Sequence, residues 1–547
     1  MKLKTRQFDD NLAGFLGRIA IPTLIIILPI TGYWLYSNFI APISPYYQDY
    51  DPEFQYFLNS LAILRGGSYT YVDHPGTPLE IIGSIILVAT RPFLQNNQGG
   101  FTLYHLQHPE LFLGLARGFV ALLSIGCALF FFYTAQLSKR KSDIFVAASL
   151  AMMFFVIHPE SFATLTLWSH NSFNFAFGTL LLVFLFSILK RQGEIPRWKI
   201  MGMGLGIGVL SAIIIYFVIW LAGALIAVIV FYQLQKLSWK KTGLAAVAII
   251  ASSLAGFVLA TLPVLNLYSS FASWIIGLIF HQGIYGSGAG GITSPSLFLS
   301  NFSTLIQDLP TLFITTGIEL LLLLFALIRW HKEAYKKPGM WAMAAGLTFM
   351  LLLLTILITK HPKDIYMLAV AATLPVLMMV ILEISRYDTA FNRILGRVLI
   401  VVLLSGLVIS LSAALVGRHN YADYIQNVTK QTSLAIQEYG ALTGRTQDAL
   451  YIYWTYGTYS PCQSLQFGDN YTSIEITDDI KNLCDHQRAI SIWANKVKVF
   501  QKNWDIVITR TGFLETYLFL SGIGTVFKEL PNTGNEFGSI ILISNTK

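Results

Sequence analysis

The residues best equipped for chemistry sit in the acidic stretch after the first long apolar run. There Gln48-Asp49-Tyr50-Asp51-Pro52-Glu53 supplies three carboxylates, and Asp73-His74-Pro75-Gly76-Thr77-Pro78 adds a fourth carboxylate and an imidazole. Held at a bilayer surface, such groups can take a proton from a hydroxyl or amine nucleophile. Asp51 also precedes Pro52, and Phe54, Phe57, Leu58, Leu61 and Leu64 recur at helical spacing up to Gly66-Gly67. The pattern predicts a short amphipathic helix lying along the membrane surface. In that helix Asp51 would serve as N-cap and Glu53 as a first-turn carboxylate, roles compatible with proton transfer. Pro75, Gly76 and Pro78 leave the His74 turn few conformations, which suits either the wall of a site or a simple change of chain direction.

A second set of candidates is cationic. Lys360-His361-Pro362-Lys363-Asp364 lies between two apolar segments, and Arg65, Arg91 and Arg117 fall on the same expected side. Two lysines and a histidine at the membrane boundary could hold a lipid phosphate by charge compensation, or the lysines could simply snorkel to water. The segment 266–309 carries an apolar stretch at 271–280, followed by His281-Gln282-Gly283-Ile284-Tyr285-Gly286. Its glycines suit a lid that closes over a ligand, and equally a flexible connector. Glu160 in His158-Pro159-Glu160 and His170 in Trp168-Ser169-His170-Asn171 could approach one cavity. Glu319 stands inside an apolar segment, where a carboxyl needs an interhelical hydrogen bond or a function. Walker, dinucleotide-binding and HExxH patterns are absent. Any cosubstrate should therefore be already activated, and lipid-borne.

What must position these groups is a membrane. The 547 residues are 54% hydrophobic and 12% charged, with a mean hydropathy of +0.59; a soluble domain carries about a quarter charged residues. The +8 net charge resides largely in short basic runs between apolar segments, so it points to membrane orientation and not to nucleic acid. Requiring roughly 20 apolar residues per crossing places spans near 19–40, 117–137, 143–160, 171–189, 199–215, 217–235, 243–265, 310–329, 340–358, 365–384 and 394–416, about eleven in all. With the N-terminus inside, the Lys and Arg runs at 139–141, 190–199, 236–241, 329–337 and 386–397 all fall on the inner face. The weaker apolar stretch 79–90 is read as a juxtamembrane helix, opened by Thr77-Pro78-Leu79-Glu80 as N-cap, first-turn proline and capping-box glutamate.

An odd number of spans puts 417–547 on the outer face as a soluble α/β domain behind the membrane region 1–416. Strands are expected at 450–456, 505–509 and 539–544, and helices at 421–439 and 512–520. In an oxidising compartment Cys462 and Cys484 could pair there.

In this order and sidedness the motifs resemble the GT-C superfamily of polyprenyl-phosphate-dependent glycosyltransferases, in the branch of protein O-mannosyltransferases and the lipid A aminoarabinose transferase. Asp51 and Glu53 match an Asp-Glu pair early in the first outer loop, with Pro52 inserted between them. His74-Pro75-Gly76-Thr77-Pro78-Leu79 matches a His-Pro-Pro-Leu turn, and Arg117 an arginine at the start of the second span. Lys360 to Pro375 matches a late loop before a proline-containing span, but Asp364-Ile365-Tyr366 lacks that loop's arginine. His170-Asn171 stands where a second acid is expected, which leaves a divalent metal possible but unassigned.

The resemblance implies an enzyme of the cell envelope, set in a bacterial inner (plasma) membrane with its last domain in the periplasm. It would move a sugar from a polyprenyl-phosphate donor to a lipid, glycan or protein acceptor. Asp51 would be the general base with Glu53 assisting and Asp49 as rival, while Lys360, Lys363 and Arg117 would neutralise the departing phosphate. Asp73, His74, His170, His281, Tyr285 and His361 would line the substrate site. A flippase of a lipid-linked sugar is the competing class. It would place its unusual charges at mid-membrane, whereas here they gather at one face. A scaffold presenting the last domain is a third reading.

Overall fold

The computed structural model describes residues 2–44, 50–67, 76–93, 100–135, 141–190, 193–282, 288–292, 295–444, 451–454, 461–469, 474–484, 487–490, 506–510, 525–530 and 539–544. In chain order the helices begin with α1 (Lys2–Leu35), α2 (Tyr50–Leu64), α3 (Thr77–Thr90), α4 (Phe101–Gln107), α5 (Pro109–Ala135), α6 (Lys141–Met152) and α7 (Phe154–Ile157). They continue with α8 (Phe173–Leu189), α9 (Arg197–Ile213), α10 (Val218–Leu234), α11 (Trp239–Ala260), α12 (Tyr268–Phe280), α13 (Pro295–Asp308) and α14 (Pro310–Trp330). The last are α15 (Pro338–Ile358), α16 (Leu368–Ile384), α17 (Thr389–Thr443), α18 (Pro461–Asp469) and α19 (Ile474–Leu483).

Ten helical segments among the described residues are long and apolar enough to cross a bilayer, and the chain is an integral membrane protein. Most expected spans are there, with four differences. The segment 143–160 breaks at Met153 into α6 and the one-turn α7, and α9 stops at 17 residues. The helix carrying the second span starts at Pro109, so Arg117 lies two turns inside it and not at its beginning. Conversely, the apolar stretch at 271–280 is extended backwards by the turn Leu262–Leu267, giving a segment of membrane length within what the sequence assigns to an outer loop. The helix expected at 421–439 is the second half of α17, which runs unbroken for 55 residues.

The chain forms two compact units. The first comprises Met1–Leu35, Val72–Leu79 and Arg117–Leu415. At its centre α16 is buried on every side, as its near-continuous apolar sequence requires. Where α9 meets α11 the backbones almost touch: a Cβ on Gly208 would sit 2.0 Å from the Ser253 carbonyl, and one on Gly256 2.4 Å from that of Leu205. Small residues permit this approach, the usual way membrane helices gain packing contacts without a hydrophobic driving force.

The second unit comprises Tyr36–Tyr71, Glu80–Ala116 and Val416–Lys547. Its sheet holds β1 (Tyr451–Trp454), β2 (Gln487–Ile490), β3 (Ile506–Arg510), β4 (Thr525–Leu530) and β5 (Ile540–Ser544) in the order β2-β1-β3-β5-β4. β1 runs parallel to β2 and β3, while β5 is antiparallel to β3 and β4. A parallel β1–β2 pair needs a crossover, and α18 and α19 supply it. One sheet face, with Ile506, Ile508, Ile540 and Leu542, packs on Val428, Ala435 and Tyr439 of α17. The expected strands lie on β1, β3 and β5. β2 and β4 were not foreseen, and the helix expected at 512–520 lies outside the described residues.

Cys462 and Cys484 form the disulfide between α18 and α19, with Cα atoms 5.5 Å apart. In the same unit the long α17 is fastened by Arg418, whose guanidinium donates to the carbonyls of Ala41 at 3.1 Å and Ser37 at 3.0 Å.

Candidate functional site

In the second unit the acidic helix begins one residue before the expected cap, so Asp51 sits within the first turn of α2 and not at its N-cap. Glu53 is fully buried on that helix. Phe54, Phe57, Leu58 and Leu61 are also buried, as their spacing requires, and Phe57 stacks on Phe112 with centroids 5.0 Å apart. α3 crosses α2 closely. Ser60 Oγ donates to the Glu80 carbonyl at 3.0 Å, and Ser84 Oγ donates to the Ser60 carbonyl at 3.0 Å. Gly83 makes this possible, because a Cβ there would lie 2.2 Å from Ser60 Oγ. The expected capping-box role of Glu80 is not what the structure shows. Its carboxyl is fully buried, makes no hydrogen bond among the described residues, and is pushed by burial well above the usual carboxylate range.

In the first unit a polar cluster forms where several helices end. Asp364 opens a 3-10 turn ahead of α16, and its Oδ1 accepts the Ile365 N–H at 2.7 Å. His158, fully buried, receives the Glu160 N–H on Nδ1 at 3.2 Å. Its Nε2 must then carry the proton, donated to the Asp364 carbonyl at 3.0 Å. This neutral tautomer agrees with a pKa lowered to about 4, chiefly by burial. Burial, aided by the Asp364 carboxylate, raises the Glu160 carboxyl above its ordinary value. The structure thus sets Glu160 beside Asp364.

Tyr216, after the C-terminus of α9, donates to Asn174 Oδ1 at 3.0 Å and accepts from Asn174 Nδ2 at 2.8 Å. Its ring meets that of Tyr366 at 6.4 Å, and Tyr366 meets His361 at 5.6 Å. His361 is half-buried, and its pKa is lowered to about 4 by burial and then by the neighbouring Lys363 charge. Gly76 docks on the end of α9, its N–H donating to the Ala212 carbonyl at 2.9 Å. With φ of +63°, Gly76 adopts a backbone that other residues rarely take.

Lys360 has a definite seat. Its ammonium donates to the carbonyls of Leu278 and of Ile279, the latter at 2.9 Å, at the C-terminal end of α12, where a cation complements the helix dipole. His281 follows directly, half-buried, with Nδ1 3.2 Å from the Gly288 carbonyl and a backbone bridge to Gly290. Lys363 is exposed. His170 and Arg117 are buried. Glu319 is fully buried in mid-helix, and its carboxyl oxygens have no hydrogen-bond partner among the described residues, so the interhelical hydrogen bond expected for it is not formed there. Asp49, Asp73, His74 and Tyr285 lie outside the described residues, as does the side chain of Asp51.

The residues brought together in the first unit are therefore His158, Glu160, Asp364, His361, Tyr366, Tyr216 and Asn174. Tyr216 and Asn174 were not singled out from the sequence because 42 positions separate them, as 206 separate the bonded His158 and Asp364. The one available signal was polar residues at the ends of apolar segments. No group of three or more His, Cys, Asp or Glu among the described residues is arranged to hold a metal ion.

No protein-family model and no curated protein matches the chain. Its fold does match solved structures. ArnT from Cupriavidus metallidurans bound to undecaprenyl phosphate aligns over 98% of both chains with a TM-score of 0.51 and 12% identity. The apo state of the same protein aligns over 98% of both chains with a TM-score of 0.50 and 11% identity. At such identity the likeness is one of fold, extending from the first helix to the last sheet.

Proposed function

We propose that this protein is a membrane glycosyltransferase that moves a sugar from a polyprenyl-phosphate donor to an acceptor on the outer face of the membrane. One observation carries the reading: a fold solved with undecaprenyl phosphate extends over 98% of this chain. Function does not follow from fold alone. The support from the site is that α2 brings two acids, Asp51 and Glu53, to one helical turn.

In the proposed reaction Asp51 takes the proton from the acceptor hydroxyl or amine as that oxygen or nitrogen bonds to the anomeric carbon. The bond from this carbon to the phosphate oxygen breaks, and its electron pair leaves with the polyprenyl phosphate. Glu53 orients the base. Lys360, Lys363 and Arg117 offset the growing negative charge, which in a water-poor site is a large contribution to catalysis. Two N–H bonds of Lys360 point at α12 carbonyls, so its charge is fixed in place before the phosphate develops. A divalent metal has no assigned place in this scheme. The outer face as the site of reaction, with the second unit in a periplasm, is part of the same proposal; the Cys462–Cys484 disulfide suits an oxidising compartment.

The test is mass analysis of lipids and glycans in cells lacking the gene. A polyprenyl-phosphate sugar should accumulate while one glycosylated acceptor disappears, and an unchanged lipid and glycan profile would refute the assignment. The flippase alternative draws on Glu319, a mid-helix carboxyl of α14 with no hydrogen-bond partner among the described residues. That reading requires Glu319→Gln to stop transport, with Asp51→Asn nearly silent.

A further inference from the structure

We propose that the disulfide-braced pair α18–α19 is the positioning element for the acid helix α2, with Gly468, Cys462 and Cys484 as its key residues. The inference rests on the proposed role of Asp51 and Glu53, and it adds what holds them in place.

α2 is gripped near both ends. At its N-terminal end the grip is by shape: Gly468 of α18 lies so close that a Cβ there would meet the Phe54 carbonyl at 3.0 Å and Leu58 Cδ1 at 2.8 Å. The Phe54 carbonyl belongs to the turn that carries Asp51 and Glu53. At the C-terminal end the grip is by charge. Arg65, just past α2, pairs with Asp479 of α19 at 2.7 Å and donates from Nε to Thr102 Oγ1 at 3.0 Å.

The two grips come from different helices, and the Cys462–Cys484 bond ties those helices together. The pair is anchored in turn as the crossover between β1 and β2. Phe54 and Leu58 are fully buried, so α2 cannot shift along α18 without opening a void. A base must sit within a fraction of an ångström of its proton, and a displacement of about 1 Å can cost on the order of a hundredfold in rate. A rigid seat for this turn therefore acts on turnover and not on donor affinity.

The experiment uses the full-length protein in lipid nanodiscs with a polyprenyl-phosphate sugar donor. Gly468→Ala, Gly468→Val and Cys462→Ser with Cys484→Ser are compared by kcat, donor KM and amide hydrogen exchange. Gly468→Val should lower kcat roughly tenfold or more with donor KM changed less than about twofold. Gly468→Ala and the double serine variant should move kcat in the same direction by less. The amides of 54–64 should exchange faster while those of α9 and α11 keep their protection, which also shows that the variant is folded. Adding Leu58→Ala to Gly468→Ala should restore part of the loss by making room for the new methyl.

Wild-type exchange in α2 and wild-type kcat in Gly468→Val would overturn the brace. The underlying reading fails separately. If Asp51→Asn and Glu53→Gln keep full turnover while Gly468→Val still frees the α2 amides, the brace stands as a structural device and the acids are not the catalytic pair.

Discussion

The corner at Lys360 and the helix at Asp51 solve the problem of placing charge near a membrane in opposite ways. In the corner three polar groups are matched to backbone partners: Lys360 to the Leu278 and Ile279 carbonyls, His158 to the Asp364 carbonyl, and Asp364 to the Ile365 N–H. Around α2 two acids are fully buried, Glu53 on the helix itself and Glu80 on α3, whose carboxyl has no hydrogen-bond partner among the described residues. The proposed roles differ in the same way: Lys360 would present fixed charge to a phosphate, which backbone dipoles favour, and the acids of α2 would accept a proton from the acceptor.

The comparison can be broken at several points. The largest effect is expected at Lys360. Lys360→Met removes the charge proposed for the phosphate, and turnover with a polyprenyl-phosphate sugar should fall by roughly ten- to a hundredfold. Lys360→Arg should recover only part of this, because the guanidinium fork cannot reproduce the point charge on two successive carbonyls. Unchanged turnover in Lys360→Met would reduce the lysine to a helix cap.

Glu80 comes next. Its folded pKa is raised, so the folded protein holds a proton that the unfolded chain releases. Stability is therefore full below the ordinary carboxyl value near 4.5 and falls by about 1.4 kcal/mol per pH unit from there up to the raised value. Glu80→Gln should flatten that part of a pH series of thermal melts, and a slope equal to wild type would contradict the buried neutral acid.

His361 titrates with the opposite sign. Its pKa of about 4 lies below the ordinary 6.5, so the folded protein resists protonation and loses stability as pH falls from about 6.5 to 4. His361→Gln should remove that loss, though half-exposure makes the effect smaller than at Glu80. The Arg65–Asp479 pair should matter least to stability. Each partner is about a third exposed, and Asp479→Asn should cost under about 1 kcal/mol in denaturation.

Much of this architecture was legible in the residues. Long apolar runs and β-branched strands read directly because each is a local or compositional signal, while the Cys462–Cys484 pairing was open in the sequence and is formed in the structure. What escaped was set by tertiary packing. Hydropathy averages over a window, so it could not register the break at Met153 or the start of α5 eight residues before Arg117. The motif Thr77-Pro78-Leu79-Glu80 has capping-box spacing, but Glu80 is fully buried and its carboxyl makes no hydrogen bond among the described residues.

The candidate site was legible as residue types and not as partnerships. Glu160 and His158 were visible as an outer-loop motif, yet nothing local joins them to Asp364, 206 positions from His158. Likewise α12 was visible only as the stretch 271–280, since the turn that lengthens it, Leu262–Leu267, contains a proline and reads as a loop.

The central claim is that the first turn of α2 carries the base. Purified Asp51→Asn, assayed with a polyprenyl-phosphate sugar and its acceptor, should lose turnover on the order of a hundredfold or more while binding the donor lipid as wild type does. Turnover within a few-fold of wild type, with Glu53→Gln and Asp49→Asn equally active, would contradict the account.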